Sequence, residues 1–225
     1  MNFENKPKIG IGSYTAAEIA HILGVSYSKV FNWMNIYWDK QLGDTYGDKY
    51  SWVTEGKRAV SFHTFVEFYV MMRFSEAGVK PKEVLKAHKE LSEKFKTPFP
   101  FALKPVLESI KTDKKHIYFE IEGATMTLDG SKQLNLELIK LFFVKLDFNS
   151  DDLASRYYPL GKDKSILIDP ERKFGQPVFA DKNIQPQILL EHYKAGDPIP
   201  YLASIYDIEE SYVKDAIEFC TKNAA

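Results

Sequence analysis

Residues 15–33, TAAEIAHILGVSYSKVFNW, predict two short helices crossing at a tight turn, a helix-turn-helix. Ser13 or Thr15 can cap the first helix, because a hydroxyl there accepts from a backbone N–H that has no partner inside the helix. Glu18 follows Thr15 by three residues, as a capping box requires. Ala16, Ile19, Ala20 and Leu23 recur at helical spacing, and the small Ala20 lets a second helix cross closely. Gly24 can take the left-handed conformation that ends a helix, Val25 anchors the turn in the core, and Ser26 caps the second helix. With Val30 and Trp33 facing inward, Ser26, Tyr27, Ser28, Lys29 and Asn32 form an outward surface of the kind that enters a DNA groove. The same geometry also serves as a plain packing corner, and Lys29 is the single cation of that surface.

Working outward, 44% apolar and 14% aromatic residues in a chain of 225 suffice for a core in each of two domains and argue against global disorder. The net charge of −1 conceals an asymmetry. Residues 1–105 carry 15 Lys+Arg against 11 Asp+Glu, and residues 106–225 carry 15 against 20, so the two parts are +4 and −5. A basic front suits a polyanion, whereas the acidic remainder suits a protein partner. The lone Cys220 excludes an internal disulfide and a cysteine-based zinc site; it reads as a buried filler in a reducing cytosol. The start, MNFENKPKIG, lacks the apolar run of a signal peptide, and FYVMM at 68–72 is too short to span a bilayer. The expectation is a soluble cytoplasmic protein.

After Trp33 the helix is expected to fade past Asn35 into a loop over residues 37–50, YWDKQLGDTYGDKY, rich in Gly and Asp. Its Tyr37, Trp38, Tyr46 and Tyr50 are either stacking platforms for bases or a cover for the core, the commoner use. Residues 51–60, SWVTEGKRAV, predict a hairpin turning at Glu55-Gly56, with Lys57 and Arg58 just past its tip. Behind a helix-turn-helix such a hairpin is a wing, and its two cations either contact phosphate or form a solvated tip. A helix capped by Ser61 carries Phe62, Phe65, Val66, Tyr69, Met72 and Phe74, and a second starts at Pro81 with Val84, Leu85, His88 and Leu91 inward. His63 and His88 read as packed histidines, with metal ligation the sharper alternative. Thr97-Pro98-Phe99-Pro100 breaks the chain.

Beyond it, HIYFEI (116–121) and ATMTL (124–128) predict a hairpin, followed by a helix from about Gln133 to Leu146. A two-stranded hairpin is marginal alone, so this connector must pack on a neighbouring part or on a second copy of the chain. Residues 165–168 and 177–180 predict a small antiparallel ribbon, with Gly175 allowing the bend between them. Asp152, Asp163, Asp169 and Asp181 read as turn residues rather than as a metal cluster. The tail predicts three helices. Gly196 ends the first, Asp197 caps the second, and Asp207-Ile208 turns into the third, so that Leu202, Ala203, Tyr206, Ile208, Val213, Ala216 and Ile217 repeat the small-then-large logic of the first helix-turn-helix. In this second copy Glu209, Glu210, Ser211, Asp215 and Glu218 are expected outside, where they would repel phosphates and suit a protein-binding or dimerising face.

The succession of helix-turn-helix, hairpin, VSFHTFVEFYVMMRF helix and GVKPKEVLKAHKEL helix resembles the MerR-like winged-helix domain at the front of certain VapB-type antitoxins, over about residues 12–96. The aromatic stretch Tyr37–Tyr50 departs from that pattern. LASRYYPL, IDPERKFGQPVF and AGDPIPYLASIYDIEESYVKDAIEF resemble the small antitoxin-like domain that ends the same proteins, over roughly residues 152–220. Asp169-Pro170, Gly175, Pro177, Gly196 and Ala203 carry that likeness. The resemblance implies an antitoxin whose partner is a PIN-domain ribonuclease, and no motif here identifies toxin-blocking residues.

The resulting expectation is an α+β, mainly α fold. Residues 1–98 form a MerR-like winged helix-turn-helix, residues 99–151 a connector with a hairpin and a helix, and residues 152–225 an antitoxin-like helical domain of three helices. The expected function is a DNA-binding antitoxin or transcription regulator that acts as a homodimer on double-stranded DNA. Ser26, Tyr27, Ser28, Lys29, Asn32, Lys57 and Arg58 would make the contacts, and Asn32 is suited to adenine. The alternative is a protein-interaction module without DNA binding. An enzyme is the weakest reading, because the sequence has no glycine-rich phosphate loop, nucleophile elbow or HExxH pattern, and Glu67, His63 and His88 are its best catalytic guess. No cofactor, metal or membrane is expected.

Overall fold

Thr15, not Ser13, starts the first helix, and it closes both halves of the expected capping box. Its hydroxyl accepts from Glu18 N–H at 3.4 Å, and its own N–H donates to Glu18 Oε2 at 2.7 Å. In the computed structural model, which describes residues 7–47, 49–54, 56–112, 117–121, 124–128 and 144–222, this box joins β1 (Tyr14–Thr15) to α1 (Ala16–Leu23). Gly24 ends α1 at φ +67°, and Val25 N–H donates to Ala20 O at 3.0 Å, which holds the turn against the helix it follows. Ser26 occupies the N-cap of α2 (Tyr27–Asn32) through its backbone alone; its hydroxyl lies 3.4 Å from Ser28 Oγ rather than on a backbone N–H.

The loop expected over residues 37–50 is mostly helix. From α2 the chain continues through a π-helical stretch, Trp33–Leu42, into α3 (Gly43–Tyr46), and Gly47 ends it at φ +71°. Composition misleads here because the buried positions are spaced five apart: Trp33 with Trp38, and Met34 with Asp39. The wider pitch sets these residues on one inward face. Trp38 and Tyr50 are fully buried, so they serve the core rather than offering platforms to bases.

The hairpin of β2 (Ser51–Thr54) and β3 (Lys57–Val60) forms as expected, and β1 pairs with β3 to give a three-stranded sheet of order β1-β3-β2. Next comes α4 (Phe62–Glu76). Over residues 62–72 it is buried on nearly every side, His63 being the half-buried exception, so it is a central helix rather than a surface one with an apolar stripe. Pro81 opens α5 (Pro81–Phe95), with Val84, Leu85, His88 and Leu91 inward as expected. After a 3-10 turn at Pro100–Ala102 and α6 (Lys104–Glu108), β4 (Ile110–Thr112), which sequence patterning misses, joins β5 (Ile117–Ile121) and β6 (Ala124–Leu128) in an antiparallel sheet. Phe119 packs on Phe74 and Phe101, so this sheet rests on its own chain.

The body of the helix expected from Gln133 lies outside the described residues, and its expected end, Leu146, belongs instead to β7 (Leu146–Phe148). That strand pairs with β8 (Ala154–Tyr157). The expected ribbon is present as β9 (Ile166–Leu167) and β10 (Val178–Phe179). Three helices close the chain: α7 (Pro186–Ala195), α8 (Ile199–Tyr206) and α9 (Glu210–Lys222). Pro198, not Asp197, is the N-cap of α8, because Asp197 pairs with His192 Nδ1 at 2.9 Å. Asp215 is buried, contrary to expectation. It accepts from Ser165 N and Oγ, each at 2.9 Å, and from Lys164 Nζ at 2.9 Å. The fold is thus α+β and mainly α, with one contiguous core running from Tyr14 to Cys220. No helix among the described residues is long and apolar enough to cross a membrane.

Candidate nucleic-acid interface

The start of α1, the outward face of α2 and the hairpin tip border an open groove of about 530 Å³. Tyr27 and Phe31, four residues apart, share a face of α2, and Asn35 follows them from the π-helical stretch. Gly56, Lys57 and Arg58 form the opposite bank. The rings of Tyr27 and Phe31 stack at 5.8 Å and 29°, leaving both more than two-fifths exposed. Such a ledge is wide enough to meet a partner surface and gains little by facing water.

The seven expected contact residues fall in different settings. Ser26, Tyr27, Ser28 and Asn32 are exposed along the outer side of the second helix. Lys29 is half-buried, its ammonium 5.4 Å from the centroid of the Trp33 ring, so it lies along the flank of the helix. Lys57 stands exposed at the hairpin tip. Arg58 leans across the groove, donating to Asn35 Oδ1 at 2.6 Å and to Asp39 Oδ2 at 2.8 Å. Its charge is therefore partly matched inside the protein. Phe31 and Asn35 were not singled out from the sequence, although their spacing from Tyr27 carries that signal.

The residues of the catalytic guess separate. Glu67 and His88 meet in the core, with Glu67 Oε2 2.5 Å from His88 Nε2 and both side chains fully buried. Glu67 also accepts from Phe101 N–H at 2.9 Å and from Trp38 Nε1 at 3.3 Å. His63 points elsewhere, its Nε2 3.2 Å from Ala154 O, and burial pushes its pKa down. This polar cluster ties four segments together out of reach of any substrate. Among the described residues no group of three or more His, Cys, Asp or Glu could hold a metal ion. Cys220 is buried as expected, and burial pushes its thiol up to about 11.

The second turn repeats the first atom for atom in its backbone bonds. Ile208 N–H donates to Ala203 O at 3.0 Å, as Val25 does to Ala20, with Asp207 at φ +50° where the first copy has Gly24. The surroundings differ. A cleft of about 640 Å³ beside this turn is lined by Asp181, Asp207, Glu209 and Glu210, with Lys182 paired to Asp207 at 2.8 Å.

This arrangement of helices and small sheets has a solved counterpart. The X-ray crystal structure of Rv2018 from Mycobacterium tuberculosis matches with a TM-score of 0.68 over 94% of this chain and 99% of that one; at 18% identity the likeness is one of fold. Residues 166–220 match the family described as "Protein of unknown function (DUF433)". The chain is also similar to "Putative antitoxin VapB45" of Mycobacterium tuberculosis, at 28% identity over 83 residues, which are 36% of this chain and 35% of that protein. It thus spans about a third of the length of the curated relative it matches.

Proposed function

We propose that this protein is the DNA-binding antitoxin and transcription regulator of a toxin-antitoxin module, acting in the cytoplasm as a homodimer. On this reading residues 1–98 are a MerR-like winged helix that reads double-stranded DNA, and residues 152–225 hold the toxin, with 99–151 connecting them. The observation that carries it is the open groove lined by Tyr27, Phe31 and Asn35 on the helical side and by Lys57 and Arg58 at the hairpin tip, with Ser28 and Asn32 exposed on the same helix. The likeness to a protein named as an antitoxin supports the toxin-antitoxin assignment. The acidic cleft beside Asp207 favours a basic protein partner, and the resemblance seen in the sequence implies a PIN-domain ribonuclease.

Fluorescence anisotropy against the protein's own upstream DNA and a scrambled duplex, at two salt concentrations, tests the DNA half of this reading. Preferential, salt-sensitive binding is expected, and Lys57→Ala should weaken binding to both duplexes and reduce the salt slope by about one. Equal weak binding to both duplexes would overturn it. The second reading is a protein-interaction module using the same face. It is favoured by the exposed, stacked rings of Tyr27 and Phe31, which give that face more apolar surface than phosphates require.

A further inference from the structure

Behind the last turn of α1, four parts of the chain meet in a cleft of about 120 Å³. Arg73 and Glu76 come from α4, Lys145 from the turn before β7, and Lys222 from the end of α9, against an apolar wall that includes Ile22 and Phe219. Three cations face one carboxylate, so the lining side chains carry a net charge of two. Arg73 pairs with Glu76 at 3.0 Å through Nη1, but its Nε is buried and has no hydrogen-bond partner among the described residues. Lys145 Nζ donates to Pro159 O at 2.6 Å, an uncharged acceptor, and Glu76 is the one carboxylate among the described residues that line the cleft. Burial, with repulsion from Arg73 and Lys222, holds Lys145 below the ordinary lysine range. A fold gains nothing by gathering like charges in a half-buried cleft unless something negative enters it.

We propose that this cleft binds a small oxyanion of the phosphate class, held by Arg73, Lys145 and Lys222. A doubly charged anion cancels the net charge of the lining, and the guanidinium and two ammonium groups bring charged donors to it from three separate elements. The volume admits a free phosphate or the terminal group of a phosphomonoester whose body remains outside. Chloride satisfies neither the charge nor the number of donors. Because Ile22 and Phe219 share the cleft, an occupant also braces α1 against α9. The site uses none of the groove residues and stands independently of the regulator reading.

The test is thermal unfolding of the full chain in a non-coordinating buffer, with sodium phosphate or glycerol phosphate compared with sodium chloride at equal ionic strength. Saturable stabilisation by phosphate beyond the chloride control is the expected result. A matching response to glycerol phosphate assigns the site to phosphomonoesters, and a response to phosphate alone assigns it to the free ion. Lys222→Gln, at an exposed position on the end of α9, retains the fold and is expected to weaken the apparent affinity about tenfold. Lys145→Gln should act likewise, with calorimetric titration reading both. No stabilisation beyond chloride, or the same affinity in Lys222→Gln as in the parent chain, overturns the proposal.

Discussion

Gly175 lies directly against the hydroxyl of Tyr14, so close that a Cβ at residue 175 would overlap the phenolic oxygen. The ring sits between Gly175 and Gly12, where a Cβ would come within 2.6 Å, and packs on Phe65 at 5.2 Å. Around it Ser13 N–H donates to Phe174 O at 3.0 Å, and Gln176 Nε2 donates to Glu18 Oε1 at 2.8 Å. Glu18 thus caps α1 with one oxygen and clamps the segment before β10 with the other. The rear third of the chain is fastened to the helix-turn-helix at its first turn.

Tyr14 is buried, yet its hydroxyl has no hydrogen-bond partner among the described residues. Tyr14→Phe should therefore leave stability unchanged or raise it by up to about 1 kcal/mol, since an unpaired buried hydroxyl costs desolvation and returns nothing. Gly175→Ala should cost about 3 kcal/mol, because Gly175 has φ +85° and the new methyl meets the ring. Chemical denaturation of both variants checks this pair. A loss of more than 1 kcal/mol in Tyr14→Phe would mean that the hydroxyl has a partner after all.

The Glu67 cluster makes a different demand. Glu67→Ala leaves Phe101 N–H and Trp38 Nε1–H without acceptors inside the core, and roughly 3–5 kcal/mol is expected to be lost. His88→Ala should cost a similar amount through its cavity and the lost contact. Because the two side chains touch, the double variant should lose clearly less than the sum. Additive losses in urea unfolding would show that the contact contributes nothing to stability.

Burial holds His63 below its usual value near 6.5, and this outweighs the opposing bond to Ala154 O. A histidine whose folded pKa is depressed keeps its full contribution above the unfolded value. Below about pH 6.5 the unfolded chain takes up the proton first, and stability is lost as pH falls towards the folded pKa. The parent protein should therefore lose more stability than His63→Gln between pH 7.5 and 5.5. Parallel pH profiles for the two, measured by urea midpoint, would remove His63 from the account.

What the sequence discloses follows the range of the forces concerned. The Thr15–Glu18 box, the Gly24 turn, the hairpin at Gly56 and the repeat at Ala203–Ile208 are local, and each is legible within a few residues. The helix through residues 37–46 is not, because it is held by Trp38 bonding to Glu67 and Asp39 bonding to Ser51, contacts that no local composition encodes. Strands of three residues such as β4 and β7 are too short to show a period of two. At the candidate site the outward positions of α2 follow from helical spacing. That Arg58 is engaged by Asp39, nineteen residues earlier, does not.

That engagement separates the two adjacent cations of the hairpin. Asp39 is buried, and it accepts from Ser51 N–H at 2.9 Å and Ser51 Oγ at 2.5 Å as well as from Arg58, whose side chain is 40% exposed. Asp39→Ala strands the two Ser51 donors and should cost roughly 2–4 kcal/mol. Arg58→Ala leaves the buried carboxylate with Ser51 alone and should cost less, about 1–2 kcal/mol. Lys57→Ala touches nothing buried and should be silent within 0.5 kcal/mol, roughly the scatter of surface changes. Urea denaturation should give that order, and equal losses for Lys57→Ala and Arg58→Ala would refute the division. If the order holds, weakened DNA binding in Lys57→Ala reports a lost phosphate contact, whereas the same loss in Arg58→Ala mixes contact with a loosened hairpin.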